Sequence, residues 1–356
     1  MNLSCLTLSG FRSYSSRSFE FDPKTNLIIG ENGIGKTNLL EAIYILSGSR
    51  SFRSAKTAEM IKFGFDRADI AAGIFSRGRD FEMKVSLLRS GKGQVFINDV
   101  KTVKKSKMSE IIKCVVFSPR DLFLIKGAAG ERRDLLDGAL CQKKAGYADA
   151  LSRYEKVLAG KQKLLRDEGD LSVLPELDRQ LAFYGAAIIE NRAALCETLE
   201  SAAKGIHKEI SGGKEELSLK YKTVSVVNDP FCGRDALYEK LLARFEEMRE
   251  AEIRKQSCLT GVQKDDIEVF INGADARAYA SQGQARTAAV ALKFSEREYL
   301  KEENEYPVML LDDVLSELDA PRQEYIAGST EKGQTFITCC ETACGARPDK
   351  IIEITR

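Results

Sequence analysis

Histidine is almost absent from this chain, because His207 is the only one among 356 residues. The nine cysteines are scattered, no C-x-x-C pair occurs, and only Cys339, Cys340 and Cys344 form a cluster. Structural zinc sites need closely spaced cysteine and histidine ligands, so this composition argues against such a site. We expect reduced and mostly buried thiols, with redox sensing by the Cys339 cluster as the alternative.

The chain also lacks long apolar runs and a recognisable leader. No apolar stretch approaches the roughly 18 residues that a membrane span requires. Residues 1–5 show no charged region followed by an apolar stretch, so we expect no signal peptide, no membrane partner and a cytoplasmic location. A hydrophobic content of 43% is sufficient for one large lobe and a second subdomain.

The chain also has almost no net charge, because its positive and negative side chains balance to +1. A strong basic balance would have indicated a nucleic-acid partner, and this chain has none overall. Local basic clusters are present, and they would contribute to DNA binding only if the fold gathered them on one surface; otherwise each is a solvated face. These clusters are Arg50 with Arg53 and Lys56, residues 101–107, Arg132 with Arg133, Lys143 with Lys144, and Lys161 with Lys163 and Arg166.

The most informative feature that is present is a glycine-rich stretch that fits the phosphate-binding pattern G-x-x-x-x-G-K-[ST] at every fixed position. An apolar run at residues 26–29 precedes it, as a buried strand would, and helical spacing of apolar residues follows at 38–46. Glycines allow backbone N–H groups to close around phosphate oxygens, and a helix N-terminus adds partial positive charge. The sequence therefore predicts nucleotide binding by Gly30, Glu31, Asn32, Gly33, Ile34, Gly35, Lys36 and Thr37.

A second apolar strand, predicted at residues 307–313, ends in two carboxylates. Carboxylates at the end of a buried strand suit Mg²⁺ and the attacking water at a γ-phosphate. Consecutive strand residues point to opposite sides, so Asp312 and Asp313 should have different roles. We predict ATP and Mg²⁺ as cofactors, with Lys36 at the β and γ phosphates, Thr37 and Asp312 as metal ligands, and Asp313 positioning the water.

A Ser-x-Gly-Gln sequence, formed by Ser281, Gly283 and Gln284, opens a long helix that is rich in alanine. A helix start with a free serine hydroxyl is a second candidate anion site. One nucleotide does not need two such sites about 250 residues apart in one lobe. A symmetric homodimer, in which each Ser281 caps the γ-phosphate bound to the other subunit, explains both. A plain helix N-cap is the alternative.

The Ser-Gln-Gly-Gln sequence is similar to the signature motif of ABC-type ATPases, and the chain as a whole resembles the RecF family. The similarity covers both ends and most of the length in the right order, and it is weakest at residues 144–254. The segments that carry it are residues 11–14, 30–44, 49–53 and 117–122, Gly127 with Arg132 and Arg133, and residues 281–287 and 310–319.

The chain also departs from the family pattern. Residues 261–266 read Gly-Val-Gln-Lys-Asp-Asp where the family usually has Gly-Pro-His-Arg-Asp-Asp, so the acidic pair and a cation are kept but the histidine and proline are not. Arg120 replaces the usual acid. Cys339 and Cys340 stand where the family tends to have threonine, and Thr338 is the expected γ-phosphate sensor.

The resemblance implies a DNA-dependent ATPase that works as an ATP-gated dimeric clamp in recombinational repair and replication. It implies single-strand gaps or junctions as the DNA target, RecR and RecO as partners, and a role upstream of RecA loading and the SOS response. Asp313 is shorter than the glutamate that many related ATPases use, so we expect slow, DNA-stimulated turnover. The competing functions are a repair scaffold that binds nucleotide without cycling and an ABC-type ATPase of another pathway.

The predicted fold class is α/β, an ABC-type P-loop ATPase lobe built from both termini with a largely helical inserted subdomain. Residues 1–127 read as strand-rich, with short strands expected at 68–75, 94–97 and 114–117. Residues 128–255 read as helical, with an apolar stripe from Leu177 to Leu199, a break before it at 167–175 and a strand after it at 217–227. Residues 256–356 read as the return to the lobe with the signature helix and the Asp312 strand. The short insertion argues against the long coiled-coil arms of SMC and Rad50 proteins. The wide spacing of the two motifs argues against a transporter ATPase, and the Ser281 motif has no use in a P-loop kinase or GTPase.

Overall fold

The structure, a computed structural model, describes residues 1–53, 56–102, 106–167, 169–340 and 347–355. Its strands are β1 (Asn2–Phe11), β2 (Tyr14–Glu20), β3 (Thr25–Ile29), β4 (Arg67–Ser76), β5 (Arg79–Leu88), β6 (Gln94–Ile97), β7 (Val100–Thr102), β8 (Cys114–Phe117), β9 (Leu217–Lys222), β10 (Asp266–Ile271), β11 (Ala274–Asp275), β12 (Val308–Asp312), β13 (Thr335–Cys339) and β14 (Lys350–Glu353). Its helices are α1 (Lys36–Ile45), α2 (Thr57–Met60), α3 (Ser106–Ser109), α4 (Ala129–Lys143), α5 (Ala145–Arg166), α6 (Leu174–Ile210), α7 (Arg234–Lys255), α8 (Ala276–Tyr279), α9 (Gln282–Leu300) and α10 (Ala320–Thr330).

Segments from both ends of the chain build one parallel sheet in the order β14-β3-β13-β12-β8. β8 and β12 are buried along their whole length, as expected for a parallel sheet covered on both faces. Helices α1 and α9 both contact this sheet. Because β3 and β12 each pair parallel to β13, their carboxyl ends meet at one edge, which is where ligands bind in open parallel sheets.

An antiparallel sheet in the order β2-β1-β4-β5-β6-β7 packs against α1. Burial along β4 alternates residue by residue, as the period-two pattern of the sequence predicted. Leu6 and Leu8 of β1 are fully buried, and so are Leu39 and Ile43 of α1 in the same core. The N-terminal strands therefore support the helix that follows the glycine loop.

The segment between the two parts of the parallel sheet is mainly helical, and its centre is α6, a helix of 37 residues. This helix packs against α5, α7 and α9, so the inserted helices and the signature helix share one apolar core. The predicted stripe on α6 faces this core, because Leu181, Ile188, Leu195 and Leu199 are buried. A small antiparallel sheet, β11-β10-β9, lies beside it.

Three sequence predictions differ from the structure. The strand predicted for residues 217–227 ends at Lys222, because the chain then forms a turn in which Val227 N donates to Val224 O at 2.9 Å. Pro175 lies in the first turn of α6 and not in the break before it, since a first-turn residue needs no N–H donor. Asp313 lies outside β12 and has a left-handed φ of 50°.

The predicted limits of the domains, at 127/128 and 255/256, stay a prediction. Strand β9 precedes the second limit and β10 follows it, yet the two pair antiparallel with Leu217 opposite Ile271. The apolar core around α6 likewise contains Leu124 from before the insertion and Leu292 from after it. The inserted helices and the lobe are therefore joined by continuous packing.

A buried ionic cluster fastens the inserted helices to one another. Lys161 of α5 donates to Asp178 of α6 at 2.6 Å, and its ammonium lies 2.5 Å from a carboxylate oxygen of Glu252 of α7. Arg249 contacts the second oxygen of Asp178 at 2.9 Å. Lys161, Asp178 and Glu252 are all buried, so the charge of Lys161 is paired inside the protein.

Replacing Lys161 by methionine is expected to destabilise the fold by about 3–5 kcal/mol, because it removes the shared cation from two buried carboxylates. The urea midpoint at constant m-value measures this loss. Lys163→Met is the matched control, since Lys163 is exposed two residues along the same helix and should cost no more than about 0.5 kcal/mol. Equal losses in the two variants would contradict the assignment.

Candidate functional site

The glycine loop connects β3 to α1 at the carboxyl edge of the parallel sheet. Gly35 is the N-cap of α1 and has a φ of 121°. A Cβ atom there would lie 2.6 Å from Ser13 Oγ and 3.1 Å from the hydroxyl of Tyr14, so no larger residue fits. Tyr14 also donates its hydroxyl to Gly35 O at 3.0 Å. The turn between β1 and β2 thus holds the loop in place.

Lys36 is the first residue of α1, and its side chain folds back over the loop. The ammonium donates to Gly30 O at 2.7 Å and to Glu31 O at 3.2 Å, and the residue is only 4% exposed. Cys340 reaches the same loop from the other side, with its thiol 3.0 Å from Asn32 Oδ1 and 3.8 Å from Lys36 Nζ. The loop therefore presents a buried cation at its centre.

The remaining loop residues differ in exposure. Glu31, Asn32 and Gly33 are exposed, while Gly30 and Ile34 are half-buried. The predicted phosphate-contacting backbone between Gly30 and Thr37 is thus accessible at its tip and anchored at both ends. The role of each loop residue in phosphate binding stays a prediction.

Thr37 and Asp312 come together although they are 275 residues apart in sequence. Thr37 Oγ1 donates to Asp312 Oδ1 at 2.9 Å, and Thr338 Oγ1 donates to the same oxygen at 3.1 Å. Burial raises the pKa of Asp312, and the hydroxyls of Thr37 and Thr338 oppose this shift. A carboxylate beside a threonine hydroxyl supplies the hard oxygen donors that Mg²⁺ prefers, so these residues fit the predicted metal.

Asp313 follows β12 in a left-handed turn, so the strand-alternation argument for its side-chain direction was wrong. Its backbone N–H donates to Thr338 Oγ1 at 2.9 Å, and its carbonyl accepts from Ser316 Oγ at 2.9 Å. Its side chain is half-buried at the edge where the glycine loop lies. Thr338 therefore contacts both members of the acidic pair, which agrees with its expected position near the site.

Ser281 is the N-cap of α9 and forms a reciprocal capping box with Gln284. Its hydroxyl accepts from Gln284 N at 3.2 Å, and its own N–H donates to Gln284 Oε1 at 2.9 Å. Ser281 is exposed, and Gly283 is half-buried beside it. Both of these hydrogen bonds of Ser281 are made within its own helix start. The structure brings Lys36, Thr37, Asp312 and Asp313 to one edge of the parallel sheet and places Ser281 at the start of α9.

Sequence reasoning missed a buried network behind α1. Glu41 is fully buried and accepts both Nε and Nη2 of Arg12, at 2.8 and 2.7 Å, together with a hydrogen bond from Ser51. Arg53 donates to Asn38 Oδ1 at 2.8 Å. Residues 11–14 were noted only for their resemblance, and residues 49–53 for their resemblance and their basic cluster. No spacing rule links either segment to an acid in the helix.

Arg322 was missed as well. Its guanidinium donates to Gly283 O at 2.5 Å, to Thr287 Oγ1 at 2.6 Å, and to Asp319. It therefore connects the acidic segment that follows β12 to the first turn of α9. The only sequence signal was its position three residues after an aspartate at a helix start.

The acidic pair that this chain keeps within residues 261–266, Asp265 and Asp266, forms contacts inside the protein. Asp265 is buried and accepts from Arg192 Nη1 at 3.1 Å, from Thr223 Oγ1 at 2.7 Å, and from Tyr221. Burial raises the pKa of Asp265 to about 6, against the opposing effect of Arg192. Asp266 pairs with Arg132 at 2.6 Å. Both acids of the pair are thus used in ion pairs within the protein.

Three members of the predicted basic clusters are engaged within the protein. Arg132 and Lys161 are buried in ion pairs, and Lys143 donates to the carbonyls of Tyr299 and Lys301. Arg50 and Arg53 are exposed, and they contact Glu155 and Asn38. The other exposed members are Lys56, Lys101, Lys107, Lys144, Lys163 and Arg166. Residues 103–105, and with them Lys104 and Lys105, lie outside the described residues, as does Cys344. Contact between the exposed members and DNA stays a prediction.

Two negative findings concern the described residues alone. None of their helices is both long enough and apolar enough to cross a membrane. They contain no group of three or more histidine, cysteine, aspartate or glutamate side chains arranged to hold a metal ion.

A parallel sheet with a glycine loop after β3, a carboxylate at the end of β12 and a distant Ser-Gln-Gly-Gln helix start defines the fold of an ABC-type P-loop ATPase head. The sequence profile of the family described as the RecF/RecN/SMC N terminal domain matches residues 2–356. Together with the relatives below, this match shows that the chain belongs to the RecF family.

Three similar proteins illustrate the relationship. The DNA replication and repair protein RecF of Clostridium acetobutylicum is 36% identical over 342 residues, which cover 95% of this chain and 93% of the relative. A solved structure of the recombination mediator protein RecF-ATP in the RecFOR pathway is 34% identical, with a TM-score of 0.89 and coverage of 99% and 95%. The Smc head domain derived from Pyrococcus furiosus, bound to the C-terminal domain of ScpA, is 17% identical with a TM-score of 0.54, over 99% of this chain and 92% of that one, and shows the shared fold alone.

Proposed function

We propose that this protein is an ATP- and DNA-binding clamp of recombinational repair and replication that closes as a homodimer when ATP binds. The observation that carries the proposal is the meeting of Thr37 and Asp312 at 2.9 Å beside the buried Lys36, together with an exposed Ser281 cap whose hydrogen bonds are made to Gln284 of its own helix. We infer that the two parts of the nucleotide site are joined across two chains. A second copy can supply the missing cap.

ATP is the proposed ligand because the glycine loop ends in a helix start with a lysine and a threonine, and because the solved relative is described as RecF-ATP. Lys36 would exchange its two carbonyl contacts for the β and γ phosphates. The backbone of residues 30–35 would surround the phosphate oxygens. Thr37 and Asp312 would hold Mg²⁺, which binds through one or two carboxylates plus phosphate oxygens and so needs no larger acidic cluster.

The composite site would close in the dimer. Ser281, Gly283 and Gln284 of one subunit would lie against the γ-phosphate held by the other, since the helix start offers a hydroxyl, free N–H groups and partial positive charge. Thr338 contacts both Asp312 and Asp313 and is therefore placed to respond to the γ-phosphate. Hydrolysis would remove this shared ligand and open the dimer, so turnover acts as a timer.

The proposed biological partners follow from family membership. A relative described as a recombination mediator of the RecFOR pathway supports RecR and RecO as partners and DNA gaps or junctions as the target, upstream of RecA loading and the SOS response. The inserted helices, residues 128–255, would form the second subdomain of a cytoplasmic protein. DNA contact would be made by lysines and arginines without base readout, and therefore weaken with salt.

DNA-stimulated phosphate release tests the proposal against its main alternative, a repair scaffold that binds nucleotide without cycling. The protein should release phosphate slowly with ATP alone and faster when gapped duplex DNA is added. Binding of ATP and DNA with no phosphate release under either condition would favour the scaffold. Duplex and single-stranded DNA are the comparison ligands, and a gel shift with and without ATP shows which one the dimer retains.

Asp313→Asn is expected to slow phosphate release by about tenfold to a hundredfold while ATP-dependent dimers persist, because an amide oxygen holds the attacking water less strongly than a carboxylate does. The backbone contact from Asp313 N to Thr338 does not involve the side chain and should be kept. Single-turnover phosphate release and dimer lifetime are the measurements. Ser316→Ala is the control, since it changes the same turn without altering a carboxylate. Wild-type release rates in Asp313→Asn would assign water positioning to another residue.

A further inference from the structure

The exposed Ser281 cap is connected to the inserted helices through one carboxylate. Gln284, which closes the capping box with Ser281, donates its side-chain Nε2 to Glu215 Oε1 at 3.0 Å. Glu215 lies in the segment between the end of α6 and the start of β9. The other oxygen of Glu215 contacts His207 Nε2 at 2.9 Å. The two carboxylate oxygens are therefore divided between the signature helix and α6.

The contact to Glu215 fixes which way the amide of Gln284 faces. A carboxylate only accepts hydrogen bonds, so it must be approached by the NH₂ group of Gln284. The carbonyl oxygen of the same amide is then directed to Ser281 N, which it accepts at 2.9 Å. With the amide reversed, both contacts would be lost. Glu215 thus selects the side-chain orientation on which the capping box depends.

His207 in turn holds Glu215. Its side chain is fully buried in the last turn of α6, and its Nδ1 has no partner among the described residues. Burial lowers the pKa of His207, so the ring is neutral and donates through Nε2 to the carboxylate. Glu215 itself is 20% exposed. A rigid, buried donor therefore orients a carboxylate that would otherwise be free to rotate.

We propose that Glu215 is a positioning residue that sets the Ser281 cap for the nucleotide of the other subunit and connects this cap to the long helix α6. This inference rests on the proposed ATP-gated dimer. Glu215 does not touch the nucleotide in it. It holds Gln284, and Gln284 holds the backbone of Ser281, so that the serine hydroxyl and the N–H groups of the first turn keep one geometry before the subunits meet. Preorganisation of this kind increases affinity by reducing the ordering cost of association.

The helix start itself should survive the loss of Glu215, because a second contact supports it. Arg322 donates to Gly283 O and Thr287 Oγ1, and Arg286 donates to Glu317 O at 2.7 Å. The apolar core around α9 is also independent of Glu215. Removing the carboxylate is therefore expected to loosen the cap without unfolding the chain.

The test compares Glu215→Ala with Glu215→Gln and Glu216→Ala in the full-length protein. Glu215→Ala should weaken ATP-analogue-dependent dimerisation about tenfold, because each dimer contains two caps and a lost helix-start contact changes an equilibrium several-fold. Glu215→Gln should stay within about twofold of wild type, since its carbonyl oxygen can accept from Gln284 and its NH₂ group can donate to His207 Nε2 once the proton of the neutral ring lies on Nδ1. Glu216 is exposed beside it and carries the same charge, so Glu216→Ala controls for charge alone.

Three readouts separate positioning from mere stability. Sedimentation gives the dimer dissociation constant, a fluorescent ATP analogue gives the affinity of the monomer, and thermal melting gives stability. If Glu215 acts by positioning the cap, Glu215→Ala should change the dimer dissociation constant. The ATP-analogue affinity of the monomer and the melting temperature should then stay close to wild type. Unchanged dimerisation in Glu215→Ala, or an equal effect in Glu216→Ala, overturns the proposal. A Glu215→Ala loss that Glu215→Gln does not recover also overturns it.

The outcomes distinguish this inference from the proposed function. If Ser281→Arg blocks dimers while Glu215→Ala does not weaken them, the inference fails and the ATP-gated dimer remains. If Ser281→Arg leaves ATP-dependent dimers intact, the placement of the Ser281 cap in the dimer interface fails first, whatever Glu215→Ala does.

Discussion

Lys36→Met should lower the affinity for ATP by at least about a hundredfold and abolish the ATP-dependent dimer. The ammonium of Lys36 is 4% exposed and lies among the carbonyls of the glycine loop, where it would meet the β and γ phosphates. A charge-assisted hydrogen bond contributes about 1.5–3 kcal/mol, and two such bonds are lost. Each 1.4 kcal/mol corresponds to a factor of about ten in binding. Methionine keeps the length of the side chain, so the loss reports charge and not volume.

Isothermal titration of ATP and sedimentation with ATP measure the two consequences of Lys36→Met separately. Lys24→Met is the matched control, because Lys24 is exposed just before β3, at the end of this strand opposite to the glycine loop. This control should bind and dimerise as wild type does. An ATP-dependent dimer in Lys36→Met that matches wild type would show that nucleotide does not gate association.

Ser281→Arg should leave ATP binding close to wild type and prevent ATP-dependent dimerisation almost completely. Ser281 is exposed at the start of α9, and no described contact joins it to the glycine loop of its own chain. A guanidinium placed there would enter the space proposed for the partner's nucleotide and break the contact between the serine hydroxyl and Gln284 N. The monomer's own site, with Lys36 and Thr37, is untouched.

Ser281→Thr is the control for this substitution, because threonine is also an accepted N-cap residue and keeps the hydroxyl. It should retain dimers within about fivefold of wild type. A sharper check mixes Lys36→Met with Ser281→Arg. A heterodimer of the two variants contains one complete composite site, so the mixture should recover part of the dimer that neither variant forms alone. Full dimer formation by Ser281→Arg would show that the Ser281 cap does not lie in the dimer interface.

Most of the architecture could be predicted from local sequence patterns. Period-two burial in β4 and helical spacing in α6 are direct consequences of which faces are covered, so the alternating and three-to-four-residue patterns identified them. β6 and β8 have the predicted ends. The errors came where tertiary contacts end an element. Val224 and Val227 are β-branched residues of the kind that favour strands, yet they form a turn because β10 offers pairing only as far as Lys222.

The parts of the candidate site that belong to recognisable motifs could be predicted from the sequence. The glycine loop, Thr37 and Asp312 carry spacing signals, and the fold brings Thr37 and Asp312 to 2.9 Å. The left-handed turn at Asp313 was not foreseen, because an aspartate after a strand gives no signal for a φ of 50°. Contacts between distant segments of the chain also could not be predicted from the sequence. Glu215 and Arg322 reach the Ser281 helix across 69 and 39 residues, and no periodicity connects them.

Sedimentation velocity of the wild-type protein with a non-hydrolysable ATP analogue and Mg²⁺ tests the central claim most directly. The protein should sediment as a 39.5 kDa monomer without nucleotide and at twice that mass when the analogue is bound. The change should disappear when the nucleotide is exchanged for ADP. A particle that stays at 39.5 kDa while the analogue saturates its site would contradict the account.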